Sequence, residues 1–266
     1  MTCVVKWGEA ISRSFSVPLG IKQGGINSPD FFSCYFDDLC KALRNLRKGC
    51  HIQQTFLACI LFADDLCLLS PSRSSLQRMI DECAKYCTAH VLAFNSKKSH
   101  VVVFSKKRVN YEEFLPIHLG KNPIAYTNSV TYLGTSILSD KGLLFSASND
   151  LCTFYRAANA LLNTLNRPNE EVQMQLLYAN CVPILSYASA VKDLPSTDFH
   201  NCNTALNDAI RKVFSFNRWE SVRVLRESFG YLSLTEIFAK AKDKFFSRLS
   251  DHWNKIISFL ASLSVD

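Results

Sequence analysis

Apolar positions along the chain follow two different periods, and the change between them lies near residue 145. The earlier part mixes short apolar runs, which predict strands, with stripes at i, i+3 and i+4, which predict helices. The later part carries helical stripes almost throughout. The sequence therefore predicts an α+β fold, with a mixed half over residues 1–145 and a helical half over residues 146–266.

Individual elements can be predicted from the same pattern and from turn residues. The predicted strands are Cys3–Trp7, Ser14–Val17, Val101–Phe104 and Val130–Leu138, which Gly134 interrupts, together with a buried hairpin over residues 55–69. One helix should start at Ser28, as N-cap, with Pro29 in its first position, and run to about Arg47. The other predicted helices are Ser72–Ala89, Leu151–Leu165, Val172–Ile184, Phe199–Phe214, Leu234–Leu249 and Trp253–Leu263.

Composition narrows the class of protein. Apolar types make up 48% and charged types 20% of the 266 residues, so the chain can bury a core and is not disordered. No apolar run approaches the ~20 residues that span a bilayer, and Lys6, Glu9 and Arg13 occupy the start of the chain, where a secretory signal needs an apolar stretch. We therefore expect an intracellular protein, cytoplasmic or nuclear or both, with no membrane partner.

The net charge of +7 is concentrated in two basic clusters. On charge alone, each cluster is either solvated surface or a surface for a polyanion such as nucleic acid. The first cluster contains Lys97, Lys98, Lys106, Lys107 and Arg108, and the second contains Arg211, Lys212, Arg218, Arg223, Arg226, Lys240, Lys242, Lys244 and Arg248.

The cysteines do not form a disulfide pattern. There are eleven, an odd number, without a repeating spacing, so reduced thiols are expected. Cys83, Cys87 and His90 share a helical spacing that a zinc site can use, but no fourth ligand or knuckle-like loop accompanies them. Ordinary helix packing is the favoured interpretation of these three residues.

Two adjacent acids, Asp64 and Asp65, lie at the tip of the apolar hairpin. Like charges this close disfavour joint ionisation, and apolar surroundings add a desolvation cost. A divalent metal such as Mg²⁺ relieves both, because it prefers hard oxygen ligands; a solvated acidic turn is the alternative. A second acid pair, Asp37-Asp38, lies within a predicted helix near Lys41 and is interpreted as an exposed helix face without a catalytic role.

Five short motifs occur in a fixed order along the chain. They are the glycine loop (Gly20-Ile21-Lys22-Gln23-Gly24, ending in Ser28-Pro29), the helical residues Phe32, Tyr35, Asp37 and Leu39, the carboxylate turn (Phe62-Ala63-Asp64-Asp65), the lysine segment (Leu92, Phe94, Asn95, Lys98 and Ser99) and the YLG turn (Tyr132-Leu133-Gly134). In this order they resemble the reverse transcriptases of non-LTR, LINE-type retrotransposons, over essentially the whole chain. An unrelated α+β metalloprotein would need all five to arise in order by chance.

The resemblance implies a fold and an activity. The fold is a partial polymerase palm, an antiparallel sheet with helices, over residues 1–145, followed by a helical thumb or connection region over residues 146–266. The activity is RNA-directed DNA polymerisation, a templated nucleotidyl transfer by two metal ions, Mg²⁺ or Mn²⁺. Its partners are an RNA template, a DNA primer or duplex, and deoxynucleoside triphosphates.

The resemblance also implies residue roles. Asp64, Asp65 and Lys98 are the expected catalytic residues: the two aspartates bind metal, and Lys98 neutralises developing phosphate charge. Gln23 and Gly24 are expected to line the nucleotide and template pocket. The YLG turn, Tyr132, Leu133 and Gly134, is expected to grip the primer end.

One departure from the family pattern bears on activity. The family places a first metal-binding Asp on an earlier palm strand, and none of the acids before Asp64 lies on such a strand. We therefore expect an N-terminally truncated fragment that does not polymerise DNA alone; the alternative is a catalytically inactive nucleic-acid-binding remnant of a decayed element. Another departure is Val191-Lys192, where related sequences tend to place a Trp.

Overall fold

The computed structural model describes residues 2–17, 24–107, 109–164, 169–250 and 252–263. Helices and small, mostly antiparallel sheets together confirm the predicted α+β class. The chain divides into two compact units, the first formed by residues 1–99 and 115–124 and the second by residues 100–114 and 125–266. No helix in the described ranges is both long and apolar enough to cross a membrane.

The described strands are short. They are β1 (Thr2–Cys3), β2 (Lys6–Trp7), β3 (Ala10–Ile11), β4 (Phe15–Ser16), β5 (His51–Ile52), β6 (Thr55–Phe56), β7 (Cys59–Phe62), β8 (Asp65–Leu68), β9 (His100–Val101), β10 (Ile117–Leu119), β11 (Asn122–Tyr126), β12 (Ser129–Tyr132), β13 (Thr135–Ser139) and β14 (Leu143–Ser146).

Most of the residues in regular secondary structure belong to helices. They are α1 (Ser28–Asn45), α2 (Arg73–Ala89), α3 (Ser148–Thr164), α4 (Glu170–Leu176), α5 (Val182–Ser186), α6 (Ser196–Phe214), α7 (Arg223–Ser228), α8 (Leu234–Ser250) and α9 (Lys255–Leu263), with a 3₁₀ turn at Tyr111–Glu113. A π-helical turn, Leu177–Cys181, joins α4 to α5.

The core of the first unit lies between α1, α2 and the β7–β8 hairpin. Its buried members are Phe36, Leu39, Leu43, Ala58, Met79, Cys83 and Tyr86. The helix α1 begins one residue earlier than predicted: Ser28 is already helical, and Asn27 takes the N-cap position. The prediction is confirmed for α2, where Ser72 is the N-cap and its side chain accepts a hydrogen bond from the Ser75 amide.

The second unit joins small strands to a helical core. In it, β12, β13 and β14 form an antiparallel sheet, and the last two residues of β11 pair in parallel with β9. The helical core buries Ala147, Phe154, Ala158, Met174, Leu177, Cys181, Val182, Leu185, Cys202, Ala205, Leu206, Ala209, Ile210, Val213, Val222, Leu234 and Phe238.

Several predicted elements differ from the structure. The strand predicted over Cys3–Trp7 is divided into β1, which pairs with β4, and β2, which pairs with β3. Of the strand predicted over Val101–Phe104, only Val101 belongs to a strand, β9. The single interrupted strand over Val130–Leu138 is wrong, because the chain turns back at Leu133-Gly134 and forms the β12–β13 hairpin. The single helix predicted over Val172–Ile184 is divided by the π-helical turn, which ends two residues before Pro183. Proline lacks the amide hydrogen that a regular helix would use there, so the backbone widens. The helix predicted over Leu151–Leu165 corresponds to α3, which begins earlier, at Ser148; its predicted last residue lies outside the described residues.

Candidate active site

The carboxylate turn lies at the tip of the β7–β8 hairpin in the first unit. Phe62 pairs with Asp65 across the two strands, so Ala63 and Asp64 form the two-residue tip. Ala63 has a φ of +49°, the sign that tight hairpin turns require at their first central residue. An alanine held in this left-handed conformation costs about 1–2 kcal/mol, so the rest of the hairpin must hold the tip in place.

Burial along the hairpin explains how the tip reaches solvent: β7 alternates between partly buried and exposed positions, and β8 is partly buried after its exposed first residue, Asp65. Leu61, Leu66 and Leu68 pack against the first core. Asp64 and Asp65 are both exposed. The apolar strands anchor the hairpin on the core and present the two carboxylates at its free end.

Neither carboxylate of the turn has a side-chain hydrogen bond or ion pair within the described part of the chain. The second acid pair, by contrast, has a cationic partner. Lys41 Nζ lies 2.7 Å from Asp37 and 3.2 Å from Asp38, on the exposed surface of α1. Hydrogen bonds to these two acids raise the pKa of Lys41. The interpretation of Asp37-Asp38 as an exposed helix face near Lys41 is confirmed.

The donor set of the turn fits Mg²⁺, which binds proteins through one or two carboxylates and takes its other ligands from water and substrate phosphates. Among the described residues, no three His, Cys, Asp or Glu side chains come together as a metal site. Of the earlier acids, Glu9 lies in the turn between β2 and β3, and Asp30 lies in the first turn of α1. The described chain therefore offers two adjacent carboxylates for a metal.

The lysine segment packs on the same core as the hairpin, through Leu92 and Phe94. Asn95 then organises the turn that carries the lysine: its side-chain oxygen accepts from the Lys97 amide at 3.0 Å, and its carbonyl accepts from the Lys98 amide at 3.1 Å. Lys98 is exposed and makes no ion pair with any described acid. The carboxylate turn and the lysine segment are thus both anchored on the core of the first unit.

The glycine loop is described only in part. Gln23 lies outside the described residues, together with residues 18–22. Gly24 has a φ of +79°, and a Cβ built on it would meet nothing within 4 Å. This conformation favours glycine on backbone grounds alone.

The YLG turn lies in the second unit and connects β12 to β13. Tyr132 pairs with Thr135, while Leu133 and Gly134 have φ values of +46° and +74°. Two consecutive positive φ values are those of a type I′ hairpin turn. Glycine suits that turn, whereas leucine rarely adopts it.

The structure identifies three residues at this turn to which sequence reasoning assigned no role. The Tyr187 hydroxyl donates a hydrogen bond of 2.8 Å to the Leu133 carbonyl. Lys192 is 2% exposed, and its Nζ lies 2.7 Å from Asp150. The replacement of an expected Trp by Lys192 was the available signal, because a position that suits Trp is commonly buried and a lysine there needs a partner.

The second basic cluster contains two groups besides Lys212, which donates a hydrogen bond to Asn159, and Arg218, which is exposed. One is already paired with acids or buried, and contains Arg211, Arg223, Lys242 and Arg226. Lys240, Lys244 and Arg248 are exposed on α8. Their spacing of four residues places them on one helix face, which forms the α8 basic stripe.

Comparison with known proteins gives one positive finding. The family model for reverse transcriptase (RNA-dependent DNA polymerase) matches residues 4–137, slightly more than half of the chain. The matched segment contains the carboxylate turn, the lysine segment and the YLG turn. A comparison with curated protein sequences gives no match.

Proposed function

Because the chain belongs to the reverse transcriptase (RNA-dependent DNA polymerase) family, we propose that it is the polymerase core of a non-LTR, LINE-type retrotransposon. The order of its motifs supports this type of element. In this proposal residues 1–145 form a partial palm, and residues 146–266 form a helical thumb or connection region that contacts the duplex.

One observation carries the proposal. The β7–β8 hairpin presents Asp64 and Asp65 side by side, exposed and without a described side-chain partner, inside the segment that matches the family. Neighbouring carboxylates repel each other, and no described side chain compensates this pair. A divalent cation together with substrate phosphates would offset their repulsion.

Asp64 and Asp65 would hold Mg²⁺ or Mn²⁺. The bound metal supplies Lewis acidity at the reacting phosphate and charge neutralisation, the chemistry of two-metal nucleotidyl transfer. Asp64 is the direct ligand in this assignment, and Asp65 is its neighbour. Their hairpin fixes where the cation and the triphosphate meet.

The remaining roles follow from side-chain chemistry. Lys98 carries an exposed ammonium on an ordered turn and would neutralise charge on the incoming triphosphate. Gln23 and Gly24 would line the nucleotide and template pocket, where glycine lets a backbone approach a ligand closely. The YLG turn would hold the primer end.

We further propose that this chain does not polymerise DNA by itself. Two-metal transfer needs a third carboxylate to bridge the ions, and the described residues supply no third acid next to Asp64 and Asp65. The same observation favours a second candidate function, a nucleic-acid-binding remnant that has lost its chemistry.

The test uses the full chain with a DNA primer annealed to an RNA template, Mg²⁺ and all four deoxynucleoside triphosphates. Binding is followed by fluorescence anisotropy, and extension is followed on a sequencing gel. The proposal predicts that the duplex binds and that the primer is not extended. Extension of the primer would contradict the proposal that this chain does not polymerise DNA by itself. Absence of duplex binding would contradict both candidate functions, the polymerase core and the nucleic-acid-binding remnant.

A further inference from the structure

We propose that Tyr187 is a positioning residue for the YLG turn, and that it holds this turn in the shape that receives the primer end. The inference rests on the proposed role of the turn as a primer grip. Tyr187 lies in the helical part of the second unit, far from the turn in sequence. The proposed primer grip thus depends on a residue outside the YLG turn.

The turn requires support from outside itself. Leu133 adopts a φ of +46° and Gly134 a φ of +74°. Type I′ turns are usually built from Asn-Gly or Asp-Gly, and a non-glycine residue in such a conformation persists only where its surroundings determine it. The strands β12 and β13 fix the ends of the turn, but they leave the Leu133 carbonyl at the tip.

Tyr187 supplies that support through two contacts. Its hydroxyl donates to the Leu133 carbonyl at 2.8 Å. Its ring lies against the next residue, since a Cβ built on Gly134 would fall 3.2 Å from a ring carbon of Tyr187. One side chain therefore fixes the orientation of the Leu133 peptide and covers one side of Gly134.

Tyr187 is itself held by a buried ion pair. It begins a tight turn in which Ala188 has a φ of +55° and the Lys192 amide donates to the Ala188 carbonyl at 2.9 Å. The Lys192 ammonium lies 5.6 Å from the centre of the Tyr187 ring and 2.7 Å from Asp150. The cation anchors the turn to α3 and also lies within range of a favourable contact with the ring.

The helix α3 supports both Tyr187, through Lys192, and the β12–β13 hairpin. Asp150, in its first turn, holds Lys192. The neighbouring Asn149 donates to the Ser136 hydroxyl on β13 at 2.9 Å. The tyrosine and the hairpin it supports are thus attached to adjacent residues of the same helix, so their relative position is set by a rigid element.

The test compares Tyr187→Phe with Tyr178→Phe in the full chain. Tyr178 is a matched control, because its hydroxyl also donates to a distant backbone carbonyl, that of Leu232, at 3.1 Å. A DNA primer on an RNA template carries 2-aminopurine at its 3′ end, whose fluorescence reports the environment of the terminal base. A dye at the far end of the duplex reports total binding by anisotropy.

The Tyr187→Phe variant should reduce the 2-aminopurine response per bound complex by roughly fivefold, the factor expected from one lost hydrogen bond. Its total affinity for the duplex should stay within about twofold of the wild-type value. Amide hydrogen exchange at residues 132–135 should accelerate by a similar factor. Tyr178→Phe should change neither signal. A tyrosine with a merely structural role would lower the melting temperature and leave the primer-end signal of the bound complex unchanged.

A second pair of variants approaches the same contact from the other side. Gly134→Ala places a methyl against the Tyr187 ring, whereas Gly230→Ala has an almost equal φ, +72°, and open space around its Cβ. Only Gly134→Ala should disturb the primer-end signal. If wild-type chain binds the duplex and both Tyr187→Phe and Gly134→Ala leave that signal unchanged, the inference is wrong and the proposed function stands. If wild-type chain does not bind the duplex, both are wrong.

Discussion

Lys192 and Asp150 form an ion pair of 2.7 Å in which the lysine side chain is only 1% exposed. An ammonium removed from water carries a desolvation cost of several kcal/mol, which only a close, well-oriented partner offsets. The pair also fixes the turn that carries Tyr187. It is therefore a point on which the stability of the helical core and the geometry of the YLG turn both depend.

Breaking this pair should destabilise the protein strongly. We expect Asp150→Asn to lower the free energy of unfolding by about 3–5 kcal/mol, because it leaves a buried charge without its partner. Lys242→Met is the control: Lys242 and Asp193 lie 4.0 Å apart with side chains 44% and 97% exposed, so its effect should stay within about 0.5 kcal/mol. Urea denaturation measures both values. Equal effects of the two variants would show that the Lys192 pair is not the anchor described here.

Two thiols of the first unit, one on α1 and one on β7, are in contact with each other. The Sγ atoms of Cys40 on α1 and Cys59 on β7 lie 3.7 Å apart. A hydrogen bond from Cys59 lowers the pKa of Cys40 to about 7, against opposing effects of burial and of Asp37. The same contact, together with burial, raises the pKa of Cys59. Cys40 is thus the acidic member of the pair.

The pH dependence of alkylation tests this assignment. A lowered pKa means that the Cys40 thiolate forms as the pH rises through about 7, so its reaction with iodoacetamide should show a midpoint there by mass spectrometry. Cys83, whose pKa burial raises to about 12, should remain unreactive over the same range. Cys59→Ala removes the hydrogen bond and should move the Cys40 midpoint toward the ordinary thiol value of 9.0, whereas Cys34→Ala should not. An unchanged midpoint in Cys59→Ala would contradict the hydrogen-bond explanation.

The α8 basic stripe gives a prediction for nucleic-acid binding. Replacing Lys240, Lys244 and Arg248 together by Ala should weaken duplex binding and make the slope of log affinity against log salt shallower by up to about 3, because each phosphate contact contributes roughly one unit. The control is Arg223→Ala, since Arg223 is already paired with Glu227 at 2.9 Å. Anisotropy titrations at several salt concentrations measure the slopes. Identical slopes for the triple variant and wild type would exclude the stripe as a duplex-contacting surface.

Local patterns predicted the elements that local interactions determine. The helix α2 was predicted from its apolar stripe, and the capping bond of Ser72 that the structure adds lies within the first turn of the same helix. The β7–β8 hairpin was predicted from two apolar runs around two acids, although Ala63-Asp64 is not a favoured turn pair. In both cases the residues that determine the structure lie within a few positions of each other.

Distant contacts account for what the sequence did not predict. Gly134 was interpreted as an interruption in one strand, and leucine at the preceding position does not indicate a hairpin turn because it rarely adopts the left-handed conformation. The contact that supports the turn comes from Tyr187, 54 residues further along the chain. Likewise, the expected Trp at Lys192 indicates a buried position, but nothing local to Lys192 identifies its partner, Asp150, 42 residues earlier. Charge alone did not distinguish free cations from partnered ones: Arg226 is buried, and Arg211 pairs with Asp208, three residues earlier.

The carboxylate turn is the proposed binding site of the divalent cation used in nucleotidyl transfer. The most direct test is the binding of Mn²⁺ to the full chain in the presence of a deoxynucleoside triphosphate, followed by electron paramagnetic resonance. The variants are Asp64→Asn with Asp65→Asn, and, as a control on α1, Asp37→Asn with Asp38→Asn. Both double variants remove two exposed, adjacent acids from the first unit, so they change the net charge equally.

We predict that wild-type chain and the α1 control bind Mn²⁺ equally, and that the variant of the carboxylate turn binds it more weakly by at least roughly tenfold. Mn²⁺ binding that is equally tight in all three proteins would contradict this proposal. Duplex binding without any Mn²⁺ binding by the wild-type chain would contradict it too, and would favour the inactive remnant.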